Sequence, residues 1–431
     1  MSIKQTAIKA RSASIRLAAV KTDVKNNALA QIAKALRKRS AEITAANGKD
    51  IAAAEENNLS APLLKRLKFD ENKIAAVIEG IESLINLDEP VGKIISCTEL
   101  DEELELYKVS SPIGVIGVVF ESRPDALVQI STLCLKSSNA VLLKGGSEAE
   151  NTNKILAEVI THATESAGIP AGWLQLLHTR QDVAEMLTLD EYIDLIIPRG
   201  SNRFVRYIME NTNIAVLGHA DGLCHVYVDA DTDLDMAVRI SVDSKCQYVA
   251  VCNAAETLLV DEKITEKFLP KVKTAMEEKG VELCGCERTA AIIKVKPAVE
   301  EDWRTEYLDL VLSIKVVDGL DEAIEHINRY GSGHTDTIVT SNKDAASRFM
   351  QLVDSANVFW NASTRFSDGF RYGLGAEVGI STNKIHARGP VGLEGLVIYK
   401  WKLYGAGQVV ADYADGRKSF THKKLNKNRH I

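Results

Sequence analysis

From residue 113 to residue 228 the 431-residue chain alternates short apolar runs with amphipathic helical patterns, and this rhythm restricts the fold more than any other feature. The strand candidates are 113–119, 140–143, 174–177, 193–197, 214–217 and 225–228; helix-like stretches at 126–136, 149–167, 182–187 and 203–210 lie between them. Runs this continuously apolar fit strands buried on both faces, which indicates a parallel sheet covered by helices on either side. Ligands of such sheets bind at the carboxyl ends of the strands. Two of those ends carry suitable chemistry. One leads into Lys144-Gly145-Gly146-Ser147 and the other into Pro198-Arg199-Gly200-Ser201, each ahead of a helix. A cation, bare glycines and a hydroxyl at a helix N-terminus suit phosphate groups. Two such loops in one sheet point to a dinucleotide. The chain has no G-x-G-x-x-G, so the mode of binding must differ from the ordinary one.

A second, smaller α/β pattern follows, with strand candidates at 257–260, 314–317, 337–339 and 358–360 and helices at 264–278, 320–328 and 345–352. At its threshold stands Cys252, in a turn between a helical pattern (233–242) and the first of these strands. A thiol there, at the mouth of a sheet and next to Asn253, reads as a nucleophile. The side-chain amide and backbone N–H of Asn253 are both donors for a developing oxyanion. Cys246 reads as structural. Cys284-Gly285-Cys286 is too close-set and isolated for a zinc site, and no metal is expected.

Residues 4–86 read as a helical layer, with break points at Asn47-Gly48 and Ser60-Ala61-Pro62. Residues 94–98 and 105–110 read as a hairpin around the acidic turn Asp101-Glu102-Glu103. A charged hairpin has little to bury by itself, so it either lies on the surface or pairs with another subunit; the apolar strand 113–119 that it runs into favours the second. Residues 373–407 are glycine-rich with one strand at 396–398, and the basic stretch after Lys418 reads as a solvated tail. A net charge of -7 leaves no electrostatic footprint for nucleic acid. No apolar run approaches the roughly 18 residues of a membrane span. Seven scattered cysteines and an N-terminus without an apolar signal core imply a reducing, cytoplasmic setting.

Four long runs carry a family resemblance: Ser111-Pro-Ile-Gly-Val-Ile-Gly-Val-Val-Phe-Glu-Ser-Arg-Pro-Asp-Ala, Cys252-Asn-Ala-Ala-Glu-Thr-Leu-Leu, Asp368-Gly-Phe-Arg-Tyr-Gly-Leu-Gly-Ala-Glu-Val-Gly-Ile-Ser-Thr and Lys384-Ile-His-Ala-Arg-Gly-Pro-Val-Gly-Leu-Glu-Gly-Leu. With them the chain, to about Gly405, resembles the gamma-glutamyl phosphate reductases, also called glutamate-5-semialdehyde dehydrogenases, of the aldehyde dehydrogenase superfamily. It departs at Tyr248-Val249-Ala250, where many relatives hold a proline before the alanine. No kinase portion precedes it, so it resembles the stand-alone reductase.

The resemblance implies an aldehyde-dehydrogenase-like α/β fold. A cofactor domain (1–93 and 112–235, with a return segment at 366–388) and a catalytic domain (236–365) would be joined by a small β oligomerisation element (94–111 and 389–415) and a basic tail (416–431). It also accounts for the missing glycine fingerprint, since that superfamily binds its dinucleotide differently. The implied reaction is NADPH-dependent reduction of L-glutamyl 5-phosphate to L-glutamate 5-semialdehyde through a Cys252 thioester, the second step of proline synthesis from glutamate. Lys144 matches the lysine at the adenosine ribose. Ser147 stands where NAD-preferring members often hold a glutamate, which favours NADP. Glu306 matches the glutamate at the nicotinamide ribose, and Arg199, Gly200 and Ser201 are further cofactor candidates. Arg123, Ser363, Thr364 and Arg365 are substrate candidates by motif position; each arginine has the alternative of pairing with a surface carboxylate. Where hydrolytic relatives carry a general-base glutamate, this chain has Ala215-Val-Leu-Gly-His-Ala220, so the acyl group should pass to phosphate rather than water. His219 either contacts phosphate or is structural. A homo-oligomer is expected, with glutamate kinase as a further partner. The alternatives are another acylating enzyme using phosphate or CoA, and a catalytically silent scaffold for the kinase.

Overall fold

The strand Val115–Phe120 has no polar position and all six of its residues are buried, so it can only be central. The computed structural model, which describes residues 2–121 and 123–427, places it in the middle of a five-stranded parallel sheet. The order across that sheet is Leu174–Leu176, Ala140–Lys144, Val115–Phe120, Leu195–Arg199, Ala215–Val216. Successive strands therefore run outward from Val115–Phe120 in one direction as far as Leu174–Leu176 and then, starting with Leu195–Arg199, in the other. Crevices for ligands open at such a reversal. The register brings Val119 opposite Lys144 and Phe120 opposite Arg199, so both phosphate-type loops leave the sheet at the same end, on either side of the central strand.

One strand expected in this sheet lies elsewhere. Cys224–Val228 is a central strand of a second, seven-stranded parallel sheet, between Ala255–Asp261 and Thr335–Val339. An apolar run shows that a strand is buried but not which sheet buries it. The remaining members of that sheet are Lys296–Pro297, Glu282–Gly285, Val311–Val317 and Asn357–Trp360. The first two of these escaped the sequence reading because they are short and contain proline, glycine and glutamate, which weaken a strand signal. Cys224 stands beside Ala255 and His225 beside Asp336, so the amino ends of three central strands coincide. The chain immediately before each of these ends (218–223, 247–254 and 331–334) gathers there.

The N-terminal helices Ile3–Leu17, Thr22–Lys38, Ser40–Glu56 and Glu71–Ile85 pack their apolar faces into the core of the first sheet. Asn47-Gly48, expected to stop a helix, lies inside Ser40–Glu56. The buried Asn47 amide donates to the Leu67 carbonyl (2.9 Å) and Thr152 Oγ1 (3.2 Å) and accepts from the Phe69 N–H (2.7 Å). These tertiary bonds outweigh the weak helix propensity of the pair.

The charged hairpin forms as Ile94–Asp101 and Leu104–Pro112, in a four-stranded antiparallel sheet with Val397–Tyr404 and Lys423–Leu425. The tail, expected to be free, is thus partly ordered: Lys423 lies opposite Glu99, and Lys427 Nζ bonds Glu105 at 2.6 Å. Charge complementarity with the acidic hairpin accounts for this. Met1, Ser122 and the last four tail residues lie outside the described residues. The strand expected at 396–398 runs on to Tyr404, and a small hairpin, Gly379–Ser381 with Gly389–Val391, precedes it. Among the described residues, no helix is long and apolar enough to cross a membrane.

Candidate active site

The turn holding Cys252 joins the helix Leu234–Cys246 to the strand Ala255–Asp261. Its two ends are tied by an ion pair with almost no exposure, Lys245 Nζ to Glu256 Oε2 at 2.6 Å. Burial pushes the Glu256 carboxyl up to about 7, although Lys245 works against that shift. The segment Ser363–Ser367 clamps the turn from the side. Ser244 Oγ bonds Ser363 Oγ (3.2 Å) and accepts from the Thr364 N–H (3.2 Å); Thr364 Oγ1 donates to the Asn253 carbonyl (2.7 Å). The Asn253 amide in turn donates to the Ser367 carbonyl (2.7 Å), and Arg365 Nε to Gln247 Oε1 (3.0 Å). Asn253, Ser363 and Thr364 are therefore buried members of the loop's own bonding. The Asn253 side-chain amide points at Ser367, which leaves its backbone N–H as the donor from this residue to be considered for an oxyanion.

From the other side Gly222 presses on the nucleophile candidate. A Cβ at that position would lie 2.4 Å from Cys252 Cα and 2.5 Å from its Cβ, so only glycine fits.

Cys252 itself is half-buried, with Sγ 3.2 Å from Nε2 of the fully buried His334. Nδ1 of His334 lies 2.8 Å from Thr335 Oγ1; if that nitrogen donates its hydrogen there, Nε2 turns its lone pair to the sulfur. The His219 ring is edge-on to His334 with centroids 5.0 Å apart, and its Nδ1 lies 2.9 Å from the Ile380 carbonyl. Burial pushes the Cys252 thiol up to about 12; the Glu306 and Glu377 carboxylates add to this and Arg199 opposes it. Burial also holds His334 well below the ordinary imidazole range. The pair at neutral pH is thus a thiol beside a neutral imidazole, which can take the thiol proton as sulfur attacks.

His334 was not legible in the sequence: Gly331-Ser-Gly-His-Thr has no motif, and only the pairing of Thr335–Val339 with the strand beside Cys252 brings it in. Glu377 was missed too. The 215–220 stretch holds no carboxylate, but Glu377 comes from the glycine-rich segment, accepts the Gly369 N–H at 2.8 Å and is pushed up by burial.

At the carboxyl end of the first sheet a groove of about 640 Å³ is lined by Lys144, Ser147, Ser201 and Phe204. It also holds Arg180, which the sequence reading did not single out. Lys144 is buried, with Nζ donating to the Gly145 carbonyl at 2.7 Å, and Ser147 is exposed. The Ser201 N–H, at the start of helix Asn202–Glu210, faces the Glu121 carboxylate at 3.4 Å. A side chain on Gly200 would meet that carboxylate at 2.8 Å. Arg199 turns away from Lys144 and Ser147; with Arg123 and Glu377 it lines a neighbouring cavity of about 370 Å³. Arg123 also pairs with Asp125 at 2.8 Å, a buried carboxylate rather than the surface one of the alternative reading. Glu306 Oε2 accepts from Asn202 Nδ2 at 2.6 Å, and so bridges the start of that helix to the second sheet's side of the cleft.

The model of the aldehyde dehydrogenase family matches residues 2–284. The gamma-glutamyl phosphate reductase of Acetivibrio thermocellus is 66% identical over 427 residues, spanning 99% of both chains. That of Pelotomaculum thermopropionicum is 66% identical over 428 residues with the same coverage. The chain belongs to the gamma-glutamyl phosphate reductases of the aldehyde dehydrogenase family. The crystal structure of the Thermotoga maritima gamma-glutamyl phosphate reductase superposes with a TM-score of 0.93 at 42% identity, covering 95% of this chain and 100% of that one. An acetylating aldehyde dehydrogenase from Geobacillus thermoglucosidasius, at 18% identity and a TM-score of 0.63, shares the fold alone. The expected aldehyde-dehydrogenase-like architecture is therefore the one this reductase family member has.

The close approach of Gly222 is directly testable. Gly222→Ala should lower stability by about 1–3 kcal/mol, the usual cost of overpacking. By moving the sulfur off His334 it should also slow iodoacetamide labelling of Cys252 by about tenfold or more. Thermal unfolding and mass spectrometry of the peptide containing residue 252 measure both; if neither changes, the turn has room to yield.

Proposed function

We propose that this chain reduces L-glutamyl 5-phosphate to L-glutamate 5-semialdehyde with NADPH, releasing phosphate, in the synthesis of proline from glutamate. The observation that carries this reading is the Cys252 thiol 3.2 Å from a neutral His334, with the 640 Å³ groove and the arginine-lined cavity close by. The names of relatives 66% identical over nearly the whole chain give the substrate.

Cys252 attacks the acyl carbon while its proton passes to His334 Nε2. The carbon–oxygen bond to phosphate breaks, leaving a thioester on the sulfur and free phosphate. NADPH, when bound, supplies the hydride that reduces this thioester. The resulting thiohemiacetal expels the Cys252 thiolate as aldehyde forms, and the His334 proton returns to sulfur. The Asn253 backbone N–H stabilises the oxyanion at both stages.

The cofactor groove fits the dinucleotide. Lys144 and Arg180 place two cations beside the Ser147 hydroxyl, suited to an adenosine ribose bearing a 2′-phosphate. Gly200 keeps the backbone bare, and Glu121 already occupies the anion position at the Ser201 N–H, which a phosphate would take over. Glu306 takes the nicotinamide ribose. Arg123 and Arg199 face the substrate's anionic groups from the neighbouring cavity, and Arg365, within electrostatic range of Cys252, approaches from the clamp.

The four-stranded sheet is proposed as the oligomerisation element. Its edge strand, Val397–Tyr404, leaves Trp401 and Leu403 more than half exposed, an open template for a second copy.

The reaction is checked in reverse, by following NADP reduction with glutamate 5-semialdehyde and phosphate; a rate with CoA but none with phosphate would overturn the substrate assignment. Cys252→Ser should abolish turnover. His334→Ala should lower kcat by about 10²–10⁴, the usual worth of a general base, with activity then climbing about tenfold per pH unit because attack must await free thiolate. A flat pH profile in that variant would exclude His334 as the base. Ser147→Glu should cut kcat/KM for NADPH relative to NADH by about tenfold or more, equivalent to ~1.4 kcal/mol; an unchanged ratio would remove Ser147 from the cofactor assignment. Trp401→Glu should shift the sedimentation profile toward monomer, and an unaltered profile would place the interface elsewhere.

A further inference from the structure

Beside the nucleophile and its base stands a second histidine, His219, that the reduction does not use. His219, Cys252 and His334 each present one metal-ligating atom, and these atoms lie within 4.8 Å of one another. We propose that this trio is a reversible binding site for a borderline-soft divalent cation, Zn²⁺ in the first instance, held by the Cys252 sulfur and two imidazole nitrogens.

Three features of the site support this. The first is orientation. His219 directs Nδ1 at the Ile380 carbonyl, which can only accept, so that nitrogen carries the hydrogen and Nε2 keeps its lone pair. His334 has Nδ1 on Thr335 Oγ1 and Nε2 toward the sulfur. The carbonyl thus fixes the His219 tautomer, and the Thr335 hydroxyl is able to accept from His334 Nδ1, the outer-shell arrangement that suits a metal-binding histidine.

The second feature is spacing. A tetrahedral zinc with sulfur and nitrogen ligands has ligand–ligand edges of about 3.5 Å. Cys252 and His334 are already 3.2 Å apart, and no separation within the trio exceeds 4.8 Å. Three protein ligands leave a fourth position for water.

The third feature is charge. Binding replaces the thiol proton with the metal: the S–H bond breaks, a proton leaves to solvent, and a neutral site gains one net positive charge. The carboxylates of Glu306 and Glu377, which act on the same sulfur, offset that gain.

A metal on the sulfur occupies the electron pair that attacks the acyl phosphate, so the bound cation masks the enzyme. This second half rests on Cys252 being the nucleophile proposed above; the binding site itself does not.

The test uses the intact chain in a metal-free buffer. Zinc binding is measured by competition with a chromophoric chelator, and Co²⁺ is used as a spectroscopic substitute. The expected result is one ion per chain, with a thiolate-to-cobalt charge-transfer band that disappears in Cys252→Ser and after iodoacetamide treatment of the wild-type protein. His219→Ala and His334→Ala should each weaken binding by at least tenfold, with circular dichroism confirming that the variants are folded. Absence of stoichiometric binding, or binding indifferent to both alkylation and the three substitutions, overturns the site. Stoichiometric binding that leaves wild-type reductase turnover untouched overturns the masking and counts against the nucleophile assignment, while the site stands.

Discussion

A lysine and a glutamate, both withdrawn from water, hold the active turn in shape. Lys245 closes the helix before Cys252, Glu256 opens the strand after it, and their contact at 2.6 Å fixes the distance the turn must span. Such a pair adds little net stability, because desolvating both charges consumes most of the attraction; removing one partner costs about 3–5 kcal/mol because the other is left buried alone. The pair therefore serves geometry more than stability. The Ser363–Ser367 clamp and the bare backbone of Gly222 complete the constraint from two further directions. The thiol and the Asn253 N–H are positioned through this turn, and His334 reaches the sulfur from the neighbouring strand Thr335–Val339.

Much of this was legible in the chain, and the parts that were not share a physical reason. Strand–loop–helix units with Lys144 and Ser201 at their turns follow from local composition, and the register of the central strand then puts both turns at one end of the sheet. Cys252 was legible because a thiol at a helix-to-strand turn is locally unusual. His334 was not, because nothing around it is unusual; it matters only through the neighbouring strand. Cys224–Val228 was recognised as a buried strand but assigned to the wrong sheet, since burial pattern carries no information on which neighbours do the burying. Asn47-Gly48 reads as a break on propensity alone, and three tertiary hydrogen bonds reverse that reading. Ser363 and Thr364 were placed near the site by motif, yet their hydroxyls bond the helix before the sulfur, at Ser244, and the loop that presents it, at the Asn253 carbonyl. Local signals locate elements; long-range pairing assigns their work.

The opposed sheets also explain how one cysteine can be both protected and reactive. The first sheet offers its carboxyl ends to the cleft and the second its amino ends, so groove and nucleophile meet without sharing a strand. Burial that pushes the thiol up to about 12 keeps it protonated between turnovers, and a protonated thiol resists oxidation and adventitious alkylation. On the proposed mechanism, reactivity then depends on His334 taking the proton at the moment an acyl phosphate is aligned. The same burial pushes the Glu377 carboxyl up, while its bond from the Gly369 N–H opposes that shift and ties one oxygen to the backbone. On the proposed mechanism the reactivity of the thiol is thus set by its burial and by His334, and both follow from the position of Cys252 between the two sheets.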